Sequence, residues 1–221
     1  MSKTVVITGA NRGIGLALAT RCKARGDHVI AACREPSREL AALDVTIVDG
    51  VDVSSIDGAT NLQGALHGKP VDELYNCAGI MTSETLENMN FEQIEDQFQV
   101  NTLGPLRVTY ELLDNLHSGS KVAMITSRMG SIEDNTSGKQ YGYRISKAAL
   151  NAASKSLAVD LKDKGVAVAI LHPGWVQTEM TRGTGDLTTD QAAAGLMQRV
   201  EELNLENTGT FWHSNGSVLP W

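Results

Sequence analysis

The stretch Thr8-Gly9-Ala10-Asn11-Arg12-Gly13-Ile14-Gly15 decides how this chain is read. It follows the apolar run Val5-Val6-Ile7 and opens into Leu16, Ala17, Leu18 and Ala19, which carry a helical pattern. Strand, glycine-rich turn and helix, in that order, are what a phosphate-binding dinucleotide site requires. The N-terminus of a helix offers unpaired N–H groups and partial positive charge to an anion. In that frame Gly9 permits the tight turn, Gly13 lets the backbone approach a pyrophosphate, and Gly15 lets the helix pack closely against the strand. Glycines punctuate many turns. The pattern gains force from its place at the first strand–helix junction and from a second motif far downstream.

That second motif is Tyr143-Arg144-Ile145-Ser146-Lys147. Tyrosine and lysine four apart on a helix share one face, so an ammonium can sit beside the phenol. An unperturbed tyrosine titrates at about 10, and acid–base work near neutrality asks for a shift of roughly three units, or about 4 kcal/mol. Lys147 and the positive ring of an oxidised nicotinamide have the right sign to supply it. Alone, the pair reads as an ordinary helical face; beside the glycine turn it reads as an acid–base pair. Tyr141 is followed four residues later by Ile145 and lacks the ammonium.

With both motifs in place, the chain resembles the short-chain dehydrogenase/reductase family along almost its whole length. Thr8–Gly15, with Asn11, Arg12 and Ile14 inside it, matches the family's TGxxxGxG cofactor loop, and Asn76-Cys77-Ala78-Gly79 is similar to its NNAG segment. Asn101, Ser127, Tyr143 and Lys147 match the catalytic tetrad that the resemblance implies. Pro173-Gly174-Trp175-Val176-Gln177-Thr178 is similar to the segment that closes over the nicotinamide. Asp52-Val53 resembles the adenine-contacting pair, although by spacing alone Asp52 is equally a helix cap. The short chain, the stretch Ser127–Ile132 and the ending Val218-Leu219-Pro220-Trp221 resemble the C-factor-like branch. The implied fold is a Rossmann-type α/β domain spanning 1–221, with a doubly wound parallel seven-stranded sheet.

Composition agrees. A chain of 221 residues, 42% hydrophobic and 20% charged, suits one α/β domain with a two-sided core. The net charge of −7 argues against a general nucleic-acid or anionic-membrane surface. No apolar stretch approaches the ~20 residues of a membrane span, and the N-terminus lacks signal-peptide form. Cys22, Cys33 and Cys77 cannot all pair and show no metal spacing, which reads as reduced thiols in a cytoplasmic protein without a metal site.

Strand–helix alternation runs through the chain. Strands are expected at Thr4–Thr8, His28–Cys33, Val45–Val48, Glu73–Asn76, Val122–Thr126, Val166–Leu171 and Gly209–Trp212. Helices are expected to begin near Gly13, Ser54, Phe91, Gln140 and Thr188, the longest covering 91–117 and 140–164. Arg182–Asp186, with two glycines, is the expected mobile loop.

An acid after the second strand would accept from a free ribose 2′-hydroxyl, whereas arginine suits a 2′-phosphate. This strand ends Ala31-Ala32-Cys33-Arg34, and Arg12 lies inside the glycine turn, which together favour NADP(H). The expected reaction is hydride transfer between NADPH and a ketone or aldehyde. Tyr143 gives the proton, Ser127 holds the carbonyl oxygen, Lys147 lowers the phenol pKa and bonds the nicotinamide ribose, and Asn101 holds a water leading from Lys147 to solvent. Ser127 and Ser131 also read as turn formers. His172 reads as structural. Met81, Met129, Trp175 and Met180 read equally as pocket border or loop packing. The alternative function is a nicotinamide-binding regulatory or signalling protein with little turnover. Leu103, Leu106, Leu112, Leu113, Leu150, Leu157 and Leu161 on the two long helices suggest a homodimer or homotetramer, and Trp221 is expected to dock rather than stay in water.

Overall fold

Seven short apolar runs pair into one parallel sheet. In the computed structural model, which describes residues 2–221, they are β1 Thr4–Thr8, β2 His28–Ala32, β3 Thr46–Val48, β4 Val71–Asn76, β5 Leu116–Ile125, β6 Ala167–His172 and β7 Phe211–His213. Their order across the sheet is β3-β2-β1-β4-β5-β6-β7, all neighbours parallel. The helices are α1 Gly13–Arg25, α2 Arg38–Ala41, α3 Ile56–Leu66, α4 Phe91–Phe98, α5 Gly104–Glu111, α6 Tyr141–Asp160 and α7 Thr189–Glu202.

Alternation along the strands feeds two cores. Val5, Ile7, Ala123, Ile125, Ala169 and Leu171 join α1 and α7 through Leu18, Cys22 and Leu196 on one face. Val6, Val122, Met124 and Val168 join α3, α5 and α6 through Leu62, Val108 and Leu150 on the other. Each such side chain, fully buried, contributes about 1.5–3 kcal/mol. Both faces are covered, so these strands read as near-continuous apolar runs.

Helix ends follow their local chemistry. The Ser55 hydroxyl accepts from Gly58 N at the start of α3, Asn90 accepts from Gln93 N at the start of α4, and Thr188 forms a capping box with Gln191 on α7. Gly26, at φ 89°, ends α1 in the left-handed conformation.

Several boundaries differ from the expected ones. The long helix expected over 91–117 is α4, a π-helical turn over Gln99–Leu103 and α5, which ends at Glu111. β5 starts at Leu116 rather than Val122, because the Ser120 hydroxyl takes His117 N and donates to Val71 O at 2.7 Å, admitting an irregular extension of the β4–β5 ladder. β7 starts two residues late because Gly209 is left-handed, at φ 73°. The loop 182–186 is tied down: Gly183 N donates to Thr178 O, and Asp186 N and Leu187 N donate to Trp175 O.

Candidate active site

The chain leaves β1 toward β2 and β3 on one side, and β4 lies on the other, so the crevice at the carboxyl ends of β1 and β4 is a topological switch point. Ligands of open α/β sheets bind there. The Thr8 hydroxyl spans it, accepting from Cys77 N at 3.1 Å and Ala78 N at 3.2 Å. Gly9 has φ 68°, and a Cβ there would stand 2.8 Å from Ala78 Cα, so only glycine fits between the two loops. A Cβ on Gly15 would lie 2.2 Å from the Gly9 carbonyl oxygen. Gly15 thus serves the turn itself, a closer constraint than the helix–strand packing expected of it. The first turn of α1 has no acidic side chain and no side-chain cap, leaving its N–H groups open to an anion. Ile14 packs into the core, so it offers only its main chain.

The other expected cofactor contacts divide. Gly79 closes on the tetrad: a Cβ there would stand 3.3 Å from Asn101 Oδ1. Thr178 faces the glycine turn, its Cγ2 being 3.6 Å from the Cβ position of Gly13. Val176 is buried, and Gly174 (φ 98°) packs against Leu187 and His213. The Pro173 carbonyl accepts from Ser214 Oγ at 2.9 Å. Asn76 is 1% exposed and its amide donates to Thr109 Oγ1, so its side chain points into the core rather than the crevice. Asp52 accepts from Ser54 N and Oγ, while Ser55 caps α3, so of its two readings the helix cap falls away. Val53 packs against Gly104. Arg34 is exposed, and among the described residues no carboxylate pairs with it. Arg12, also exposed, forms an ion pair with Glu179.

The tetrad residues come together from three places: Ser127 after β5, Asn101 in the π-helical turn, and Tyr143 with Lys147 on α6. Ser127 follows β5, its hydroxyl accepts from Met129 N at 3.1 Å, and it lies near enough to the Tyr143 phenol to lower its pKa. It is therefore a turn former and a neighbour of the phenol at once. Ser131 is occupied elsewhere, donating to Trp221 O at 3.0 Å and accepting from Asp134 N. Lys147, 4% exposed, donates to Ile125 O at 2.9 Å. Asn101 sits in the π-helical turn; its Oδ1 accepts from Ile80 N, and its Nδ2 donates to Ile80 O and Ser146 Oγ. Gly130, which the residue pattern did not single out, lets the serine loop close on α6: a Cβ there would meet Lys147 C and O at 2.7 Å.

Electrostatics depart from expectation. Burial pushes the Tyr143 phenol up to about 12, only partly offset by the nearby Ser127 hydroxyl, and Lys147 does not pull it down. Burial also pushes Lys147 down to about 8. For both groups desolvation by burial is the largest cause. His172 is driven down to about 3 by burial, with His213 and Arg128 adding to it, so it is neutral at pH 7 and is no proton donor. Its ring meets His213 edge-on at 4.9 Å. Trp175 and Met180 are exposed, whereas Met81 Sδ lies 3.9 Å from Gln140 Nε2.

A parallel sheet in this order, with a glycine turn at its switch point and a Ser–Tyr–Lys cluster beside it, defines a nucleotide-crevice enzyme fold, and the family follows from comparison. The short chain dehydrogenase family model matches residues 3–188, and the chain belongs to that family. Within it the chain lies in the C-factor-like branch. It is 41% identical over 155 residues to the C-signal of Myxococcus xanthus, covering 69% of this chain and 93% of that protein. It is also 41% identical, over 99% of both chains, to the 1-hydroxy-2-glutathionyl-2-methyl-3-butene dehydrogenase of Rhodococcus sp. (strain AD45). Among solved structures, the NADPH-bound carbonyl reductase from chicken fatty liver is similar at 27% identity and a TM-score of 0.91, covering 100% of this chain and 99% of that one. The chain is accordingly an oxidoreductase of the carbonyl/alcohol type.

Proposed function

We propose that the protein reduces a ketone or aldehyde with NADPH, Tyr143 donating the proton. The observation that carries this reading is Lys147 one turn along α6 from Tyr143, its Nζ 5.7 Å from the ring centre, with the Ser127 hydroxyl near enough to lower the phenol pKa. A phenol held up at about 12 stays protonated at neutral pH, the state a proton donor needs. The Ser127 hydroxyl lies where it can also hold the substrate oxygen beside that phenol. Lys147 supplies positive charge near the proton's point of departure, and Asn101 stiffens the wall opposite it through Ile80 and Ser146.

The crevice fits a dinucleotide phosphate. Gly9, Asn11, Gly13, Ile14 and Gly15 would present main chain to the pyrophosphate at the open start of α1, where a side chain on Gly9 or Gly15 has no room. Arg12 and Arg34 would hold a 2′-phosphate. Asp52 and Val53 would border the adenine, the main chain of Asn76 with Ala78 and Gly79 the ribose, and Lys147, Pro173, Gly174, Val176 and Thr178 the nicotinamide. When bound, NADPH supplies the hydride. The likeness to an NADPH-bound carbonyl reductase supports this choice of cofactor.

A purified-protein screen of ketones, aldehydes and alcohols, including a thioether-bearing alcohol of the kind in the Rhodococcus relative's name, tests the reading by absorbance of NADPH and NADH. A signalling role with little turnover is the second reading, favoured by the likeness to C-signal. It predicts cofactor binding without turnover across the whole panel.

Assembly and location extend the proposal. None of the seven leucines on the long helices is exposed; Phe91, Tyr110, Ile145 and Val159 are the exposed apolar residues there. They form the surface through which we place a homo-oligomer, and a single 23.7 kDa species in light scattering at micromolar concentration counts against it. Three free cysteines suit the cytoplasm, and no helix among the described residues is long and apolar enough to cross a membrane.

A further inference from the structure

The helix that carries Tyr143 and Lys147 starts without a cap of its own. Gln140 at its N-cap gives no side-chain hydrogen bond, and its first turn holds no acid. Lys139 and Gln140 are both left-handed, at φ 58° and 51°, a conformation that non-glycine residues hold only where their surroundings enforce it. Ser, Thr, Asp or Asn usually fills such a cap.

The missing acceptor comes from the loop between β4 and α4. Glu84 Oε2 accepts from Gly142 N at 3.1 Å, and the Glu84 carbonyl accepts from Gln140 N at 2.8 Å. Glu84 is 1% exposed, and among the described residues no lysine or arginine pairs with it. Its other oxygen accepts from Thr82 Oγ1 and from Gln97 Nε2, the latter at 3.0 Å. Gln97 is fully buried on α4 and accepts from Thr82 N at 3.0 Å, which closes the network. A buried carboxylate without a cation is costly unless its hydrogen bonds are complete, and the positive end of a twenty-residue helix is the compensating charge. Gly142 is shaped to the network: a Cβ there would lie 2.2 Å from Gln97 Nε2 and 3.0 Å from Ile94 Cα.

We propose that Glu84 is a positioning residue of the active site, a long-range N-cap that fixes the first turn of α6 and so sets the Tyr143 phenol against Ser127. The proposal rests on the reading of Tyr143 as proton donor. Tyr143 directly follows the capped Gly142, whereas Lys147 has an independent anchor in Ile125 O. Loss of the cap should therefore move the phenol and leave cofactor binding alone.

The test compares Glu84→Ala and Glu84→Gln in the full chain, by NADPH-dependent turnover, NADPH affinity and residue-resolved amide exchange. Glu84→Ala should lower kcat by about 10²-fold, the scale of a displaced catalytic group. KM and Kd for NADPH should hold, and the amides of residues 140–143 should exchange faster than in the unmutated protein. Glu84→Gln keeps an oxygen for Gly142 N–H and should recover most of the rate and protection, and it alone decides the matter if the alanine variant does not fold. A Glu84→Ala protein with unchanged kcat, or with a lower melting temperature but native exchange at 140–143, overturns the proposal, as does a Glu84→Gln protein that is no better than Glu84→Ala. If the unmutated protein turns over no carbonyl, the reading of Tyr143 fails on its own. The exchange data then still decide whether Glu84 caps the helix.

Discussion

Lys147 Nζ stands 5.7 Å from the centre of the Tyr143 ring and donates its hydrogen bond to the strand carbonyl of Ile125. The ammonium therefore faces the ring while its hydrogen bond goes to the strand, and the Ser127 hydroxyl is the neighbour that lowers the phenol pKa. Tyr143→Phe removes only the hydroxyl and should cut reduction by about 10²–10⁴-fold with NADPH affinity unchanged. Lys147→Ala should lower both rate and affinity. Steady-state kinetics with a fluorescence titration of NADPH checks both, and an inactive Tyr141→Phe beside an active Tyr143→Phe would move the site.

The same pair sets a pH dependence. With Lys147 at about 8 and Tyr143 at about 12, the ammonium loses its proton first as pH rises. The kcat/KM for reduction should be level below pH 8 and fall above it, reporting groups of the free enzyme. A profile still level well above that point refutes the role of the ammonium.

In the proposed reading, Arg12 and Arg34 hold the 2′-phosphate. Well-formed charge-assisted bonds contribute about 1.5–3 kcal/mol each, so removing both arginines should largely erase a preference for NADPH over NADH. Glu179→Gln frees Arg12 from its ion pair and should strengthen NADPH binding. Calorimetry giving equal affinities for both cofactors in the unmutated protein would dispose of the assignment.

The ending of the chain docks on its own subunit. Trp221 stacks on Phe211 at 5.5 Å, its carbonyl accepts from Ile132 N, Glu133 N and Ser131 Oγ, and Leu219 is 4% exposed. Deleting Val218–Trp221 should lower the melting temperature by about 5 °C or more, since each kcal/mol is worth roughly 2–4 °C at this size. An unchanged thermal scan means that these contacts add nothing to stability.

His172 gives a test by acid. Its folded value of about 3 lies below its ordinary 6.5, so the unfolded chain takes up its proton first as pH falls. The stability from its neutral burial is whole above 6.5 and drains between 6.5 and 3, at up to about 1.4 kcal/mol per pH unit. Its Nδ1 has no partner to lose, so His172→Phe should flatten that part of the urea-denaturation profile. The His213 imidazole, also lowered by burial, leaves a residual slope.

Local order along the chain was enough to determine the sheet strands, the glycine turn and the Tyr143–Lys147 spacing. Each depends on a short-range pattern: apolar runs for strands buried on both faces, a strand-to-helix turn, and a helical repeat that puts residues four apart on one side. That Trp221 would dock was likewise legible, although it stacks on Phe211 while staying 47% exposed, so part of its surface remains in water. What the three-dimensional structure alone decided depends on distant residues and on burial. Ser127 was already legible in the sequence; the structure adds that Ser131 is claimed by the distant tail. Asn76, at the end of β4, turns inward because Thr109 on α5 receives its amide. The phenol pKa rises rather than falls because desolvation is a property of the folded surroundings, which no spacing of residues records. Glu84 carried no local signal at all: its partners Gln97 and Gly142 are brought to it only when α4 packs against α6.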